Sequence, residues 1–279
     1  MKLYKILFVF ALAMLTSCSS DDETVTINEL EGLSKFKEIT NDTHTIELYS
    51  PAGFLEQGYN EISLRIKNNT TNEYIKNASV EWMPLMHMTM MTHSCPKSTI
   101  EKTTAEGTLY KGYIVFQMPQ NATEYWDLKL DYTIDGTEYS AISVIDVPAS
   151  AKRRINTFTG TDNVKYIVAF IEPHQPKVAL NDMVAGVFRM ENMMSFPVVN
   201  DLKLKIDPRM PSMGNHGSPN NVDLTQSTSD EFYHGKLSLT MTGYWKINLQ
   251  LVNASNDVLK GETVTESNEA SSIFFEVEF

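Results

Sequence analysis

Cysteine is scarce. The 279-residue chain holds only Cys18 and Cys95, which excludes a disulfide-stapled scaffold and a zinc site of closely spaced Cys and His. Basic residues are outnumbered, 23 Lys and Arg against 35 Asp and Glu, for a formal charge of −12. That balance does not supply the basic surface a phosphate backbone needs, so no nucleic acid is expected as a partner. Broad electrostatic attachment to anionic lipid is disfavoured for the same reason. There is no Gly-rich phosphate loop, no G-x-S-x-G elbow and no H-E-x-x-H helix, so the chain is not read as an enzyme. No apolar run beyond the first eighteen residues is long enough to span a bilayer.

The opening segment reads as an address. Lys2 and Lys5 precede the apolar stretch Leu7 to Leu15, which ends in Leu15-Thr16-Ser17-Cys18. This order of charge, apolar run, small residues and Cys resembles the lipobox of bacterial lipoproteins. Residues 1–17 are expected to be a signal peptide, and Cys18 the acylated residue that anchors the protein to a membrane. Residues 18–40 are read as a polar tether, beginning with the acidic Ser19-Ser20-Asp21-Asp22-Glu23. The expected location is the cell envelope, as an outer-membrane lipoprotein on the periplasmic side or the cell surface. Loss of Lys2 and Lys5 with the leader takes the charge from −12 to −14.

From about Asn41 the chain alternates with a period of two. Ile62, Leu64 and Ile66 fall on one face of a run, as do Trp126, Leu128, Leu130 and Tyr132. The same alternation marks Leu202 to Ile206 and Trp245 to Leu251, with turn signals between the runs. This is the pattern of half-buried antiparallel strands, and it predicts an all-β chain of sandwich type. The halves also match each other. Trp82-Met83-Pro84-Leu85-Met86 faces Arg209-Met210-Pro211-Ser212-Met213, and His93-Ser94-Cys95-Pro96 faces His216-Gly217-Ser218-Pro219. Tyr110 faces Tyr233, Met118 faces Met241 and Trp126 faces Trp245. Two tandem domains are expected, 41–148 and 163–279, joined by a linker over 149–162 in which Lys152, Arg153 and Arg154 form a solvated face.

Methionine is the residue in surplus. Met83, Met86, His87, Met88, Met90, Met91, His93 and Cys95 crowd a stretch bracketed by Pro84 and Pro96. The second half carries Met210, Met213 and His216. Thioether sulfur is soft and prefers Cu(I), and imidazole binds either oxidation state of copper. Packing is the competing role for any single methionine. Cys95 with His93 could be argued as nucleophile and base, but Ser218 stands opposite Cys95 and no third orienting group is evident. Trp82, Trp126, Tyr132 and Trp245 are expected in cores, and His44 and His174 at the surface. Met190, Met193 and Met194 are read as packing or loop residues.

Met-Pro-x-Met followed by His, then Tyr-x-Gly, then Met-x-Gly-x-Trp resembles the YtkA-like (FixH-like) domain. Residues 207–250 carry it most fully, in DPRMPSMGNHG, FYHG and LTMTGYWKINLQL. The first half departs from it, with no Gly after Met86 and with Gln120 to Glu124 in place of the short Thr242-Gly243 turn. The resemblance implies extracytoplasmic immunoglobulin-like β-sandwiches associated with copper handling and with assembly of copper-dependent respiratory enzymes. It implies Met210, Met213 and His216 as ligands, with His234 and Met241 as completions. In the first half it implies Met83, Met86, His87 and His93, with Cys95 as a further candidate. The cofactor expected is copper as Cu(I), buffered or passed to a copper-accepting protein. The alternative is a metal-free surface module presenting its sandwiches to a protein or a glycan.

Overall fold

The computed structural model describes residues 28–279. The leader, Cys18 and the acidic segment after it lie outside the described residues. No helix of the described residues is long and apolar enough to cross a membrane. Among the described residues, every regular element apart from one 3-10 turn at Pro211–Met213 is a strand, and the architecture is all-β.

The first unit is built from β1 (Ser34–Thr40), β2 (His44–Ser50), β3 (Gly58–Asn68), β4 (Ser79–His87), β5 (Thr92–His93), β6 (Glu101–Lys102), β7 (Tyr110–Phe116), β8 (Tyr125–Ile134) and β9 (Thr137–Ile145). One antiparallel sheet has the order β1-β2-β3-β7-β6, the other β5-β4-β8-β9. Without β1, this is the A-B-E-D and C′-C-F-G arrangement of an immunoglobulin-like sandwich. The predicted alternation is what closes it. Ile62, Leu64 and Ile66 of β3 and Trp126, Leu128 and Leu130 of β8 are fully buried in one core. Each such aliphatic side chain contributes about 1.5–3 kcal/mol on leaving water.

The second unit repeats the plan with β10 (Ile155–Thr159), β11 (Lys165–Glu172), β12 (Leu180–Arg189), β13 (Lys203–Met210), β14 (His216–Gly217), β15 (Val222–Gln226), β16 (Tyr233–Ser238), β17 (Tyr244–Val252), β18 (Val258–Lys260) and β19 (Phe274–Glu278). Here β15 pairs with both β16 and β13, so the two sheets run into each other at that edge. Trp245, Ile247, Leu249 and Leu251 fill the core from β17.

Three sequence expectations are corrected. The first sandwich begins before residue 41: β1 pairs along β2, and Glu29 accepts hydrogen bonds from the Thr108 amide and hydroxyl. A polar tether therefore ends before residue 29. The linker is not a solvated face either. β10 within it pairs with β11. The Arg153 guanidinium lies 4.4 Å from the Phe274 ring centroid and that of Arg154 4.6 Å from Phe170. These long side chains cover aromatic surface, which a basic triplet in sequence does not disclose. His44 is buried, wedged edge-on against Tyr132 and Tyr139. His174 is exposed, as expected.

A third cluster ties the sandwiches together. Val115 with Tyr59 and Tyr113 of the first unit packs on Ile155, Ile167, Phe188 and Phe196 of the second.

Candidate metal centre

The pleat of β4 divides the methionine–histidine segment into two faces. Trp82, Pro84 and Met86 point into the core, while Met83, Leu85 and His87 point outward. Met83 and His87 are thus on the opposite side of the strand from Met86. His87 is committed elsewhere: its Nε2 lies 2.6 Å from Asp127 Oδ2 and its ring stacks on Tyr125. The expected ligand set of Met83, Met86, His87, His93 and Cys95 is not one cluster.

The inward face brings a histidine and methionines together. His93 on β5 pairs directly with Met86 on β4, and Met86 pairs with Trp126 on β8. Met86 is fully buried and His93 is 5% exposed. The His93 ring meets Trp126 edge-on with centroids 5.6 Å apart. The Trp126 indole N–H donates to the carbonyl of Met118 at 3.0 Å, which fixes the backbone of that residue. The Met118 sulfur then stands 3.3 Å from His93 Nε2.

The proton positions follow from the partners. His93 Nδ1 lies 2.7 Å from the carbonyl oxygen of Ser94. A carbonyl only accepts, so Nδ1 carries the hydrogen. Nε2 of the neutral ring is therefore a bare lone pair, and it faces another lone pair on the Met118 thioether. Two acceptors at 3.3 Å with no proton between them repel. A soft metal ion bound by both atoms would remove the conflict. With metal–nitrogen and metal–sulfur bonds of about 2.0 and about 2.3 Å, the observed separation corresponds to an N–metal–S angle of about 100°, close to tetrahedral. The Gln117 amide nitrogen is 3.4 Å from Nδ1, and its own Oε1 is buried without a partner. Turning that amide over would give the oxygen the Nδ1 hydrogen and reinforce the same tautomer.

Cys95 does not join as a thiolate. It is buried in the first core, and burial pushes its thiol well above the ordinary cysteine range. It acts as a small apolar residue.

The second sandwich repeats the frame but not the closure. β13 pairs with β14 through Met210 opposite His216, so Met210 corresponds to Met86 and Pro208 to Pro84. The sequence match of Met210 with Met83 is thus displaced by one strand repeat plus one residue. The Trp245 indole N–H donates to the Met241 carbonyl at 3.0 Å, as Trp126 does to Met118. Met210 is buried and Met241 packs on the core beside it. Yet His216 is exposed, and Met213 is 57% exposed on the 3-10 turn. His234 lies on the outer face of β16 and is hydrogen-bonded to Asp230. Neither His234 nor Met213 shares the inward face of Met210.

Met118 is not among the residues that the sequence expectation places as ligands. The signal for it in the sequence is its match with Met241 in the repeat.

No family model matches the chain, and no curated protein matches it. Among solved structures, FdeC, an Escherichia coli adhesin, overlaps at 10% identity and a TM-score of 0.24, over 80% of this chain and 64% of that one. This chain therefore spans less than two thirds of that structure. An overlap of that quality says nothing about what this chain does.

Proposed function

We propose that this protein is an extracytoplasmic, lipid-anchored copper-binding protein that buffers or delivers Cu(I), with Met86, His93 and Met118 of the first sandwich as its principal ligands. The observation that carries the reading is the 3.3 Å contact between the bare Nε2 of His93 and the Met118 thioether, with the buried Met86 paired beside it. One imidazole and two thioethers make a soft, uncharged ligand set. It suits a monovalent copper ion and offers little to calcium, magnesium or zinc. The buried indole of Trp126 and the surrounding core keep water from the ion. The second sandwich holds Met210 and Met241 in the same frame and is the weaker partner, because its histidine stands outside. Acylation at Cys18 would hold both sandwiches at the membrane, and the copper-accepting protein would meet them there.

The test is a Cu(I) competition titration of the purified protein against bathocuproine. The expected result is at least one equivalent withdrawn from the chelator, lost in His93→Ala and in Met86→Leu/Met118→Leu. Leu retains most of the methionine volume, so the double variant keeps the core. Failure of the unmodified protein to take copper would return the methionines to packing and leave the metal-free surface module as the reading.

A further inference from the structure

Four more methionines stand at the surface on two turns that converge on His93. The first turn links β4 to β5. It is closed by the Met88 amide donating to the Met91 carbonyl at 2.9 Å, and Met90 and Met91 are 89% and 47% exposed. The second turn belongs to the other sandwich. Residues 191–195 form a tight hairpin in which Asn192 bridges Ser195, leaving Met193 and Met194 at its tip. They are 42% and 46% exposed. The two turns meet at one bond: the Ser94 amide donates to the Met193 carbonyl at 2.8 Å. Ser94 directly follows His93 and supplies the carbonyl that fixes the His93 tautomer. The hairpin of the second sandwich is thus docked on the residue that orients the imidazole of the first.

Thioether exposure is graded along this path. Met90 stands in water, Met91, Met193 and Met194 are partly exposed, Met88 is half-buried against the first core, and Met86 is fully buried. Met90 at 89% exposed has no packing role, and the other three keep between 42% and 47% of their surface in water, where their sulfurs are open to a metal ion. Cu(I) is carried between ligands by exchange, an incoming thioether binding before an outgoing one leaves, with no change in oxidation state. A buried site of three ligands needs such intermediates at its mouth.

We infer that Met193 and Met194, with Met90 and Met91, form a transient Cu(I)-acquisition site, so that the second sandwich loads the buried centre of the first. This rests on the function proposed above, and it gives the second sandwich a part in the first one's chemistry. The hairpin supplies kinetics, not affinity.

The experiment is stopped-flow transfer of Cu(I) from its bathocuproine complex to the full protein, beside an equilibrium titration of the same samples. Met193→Leu/Met194→Leu and Met90→Leu/Met91→Leu are expected to slow loading by about tenfold, while the tight equilibrium binding stays as in the parent. A parallel readout uses methionines labelled at the methyl carbon. At substoichiometric Cu(I), the resonances of Met193 and Met194 are expected to shift or broaden together with those of Met86 and Met118. Unchanged loading rates in both double variants, or methyl shifts confined to Met86 and Met118, would overturn the inference and leave the His93 centre standing. Absence of tight binding in the parent protein would overturn both.

Discussion

The two sandwiches share a frame and differ in one placement. In each, a buried tryptophan, on β8 in the first and on β17 in the second, donates to the carbonyl of a methionine, and a second methionine, on β4 or β13, packs in the same core. In the first, the histidine opposite that second methionine is buried, while in the second it is exposed. The cause lies in the turns. Six residues separate Met86 from His93, and the chain between them bends without a helix. Five separate Met210 from His216, and the path is tightened by the 3-10 turn at Pro211–Met213 and by Gly214 in the left-handed region at φ 62°. The first turn is followed by Ser94 and the buried Cys95, and the second by the polar Gly217-Ser218 pair. A repeated frame therefore does not imply a repeated site. Closure is decided by the residues on either side of one histidine.

The largest test of this difference is in copper affinity. His93→Ala is expected to weaken the tight site by about 100-fold or more, above the loss typical of a supporting residue. His216→Ala is expected to change that affinity by no more than about twofold, since an exposed ligand adds little to a site it does not close. Comparable losses in the two variants, measured by chelator competition, would erase the distinction between the copies.

The frame itself should behave alike in both. Trp126→Ala and Trp245→Ala each remove a fully buried indole and its hydrogen bond to a methionine carbonyl. Each is expected to cost about 3–5 kcal/mol in denaturant unfolding. A much smaller loss at Trp245 would mean that the second frame is not equivalent.

Cys95 sharpens the comparison from the side of the neighbours. Cys95→Ser places a hydroxyl in an apolar core and is expected to destabilise by about 1–3 kcal/mol while leaving copper stoichiometry unchanged. Because burial raises its thiol, Cys95 should resist maleimide at pH 8 in the folded protein and react on unfolding. Rapid labelling of the native protein would show that the site segment is open.

The smallest effect concerns the join. Burial alone would raise the Glu276 carboxyl, but the Tyr244 hydroxyl at 2.6 Å, the Arg153 amide at 2.7 Å and nearby Lys152 and Lys246 outweigh it and hold it below the ordinary glutamate range. A carboxyl depressed in the folded state stabilises above that range and loses its contribution as pH falls through its folded value. Thermal melts of Glu276→Gln should therefore be slightly lower than those of the parent at neutral pH and should converge with them on acidification. Parallel curves at all pH values would contradict this.

Much of this fold is written in the period-two runs. Ile62, Leu64 and Ile66 and the Trp126 and Trp245 strands are buried on the faces the alternation assigns. The repeat was also legible, although Met-Pro occurs in both halves at positions that are not equivalent, and this displaced the match at Met210. The site was partly legible. The crowded stretch holds His93 and Met86, but proximity in sequence also gathers Met83 and His87, which the pleat of β4 sends to the other face. Met118 comes from a distant strand end, and the hairpin at Met193 comes from the other sandwich. Contacts of that kind are set by tertiary packing and leave no local pattern. Arg153 and Arg154 show the same limit, since their aromatic partners are far along the chain.

The most direct measurement is X-ray absorption at the copper edge of the protein carrying one equivalent of Cu(I), beside His93→Ala. The account predicts one nitrogen at about 2.0 Å and two sulfurs at about 2.3 Å, with the nitrogen shell absent from the variant. A shell of oxygen, or a nitrogen contribution that survives in His93→Ala, would contradict it.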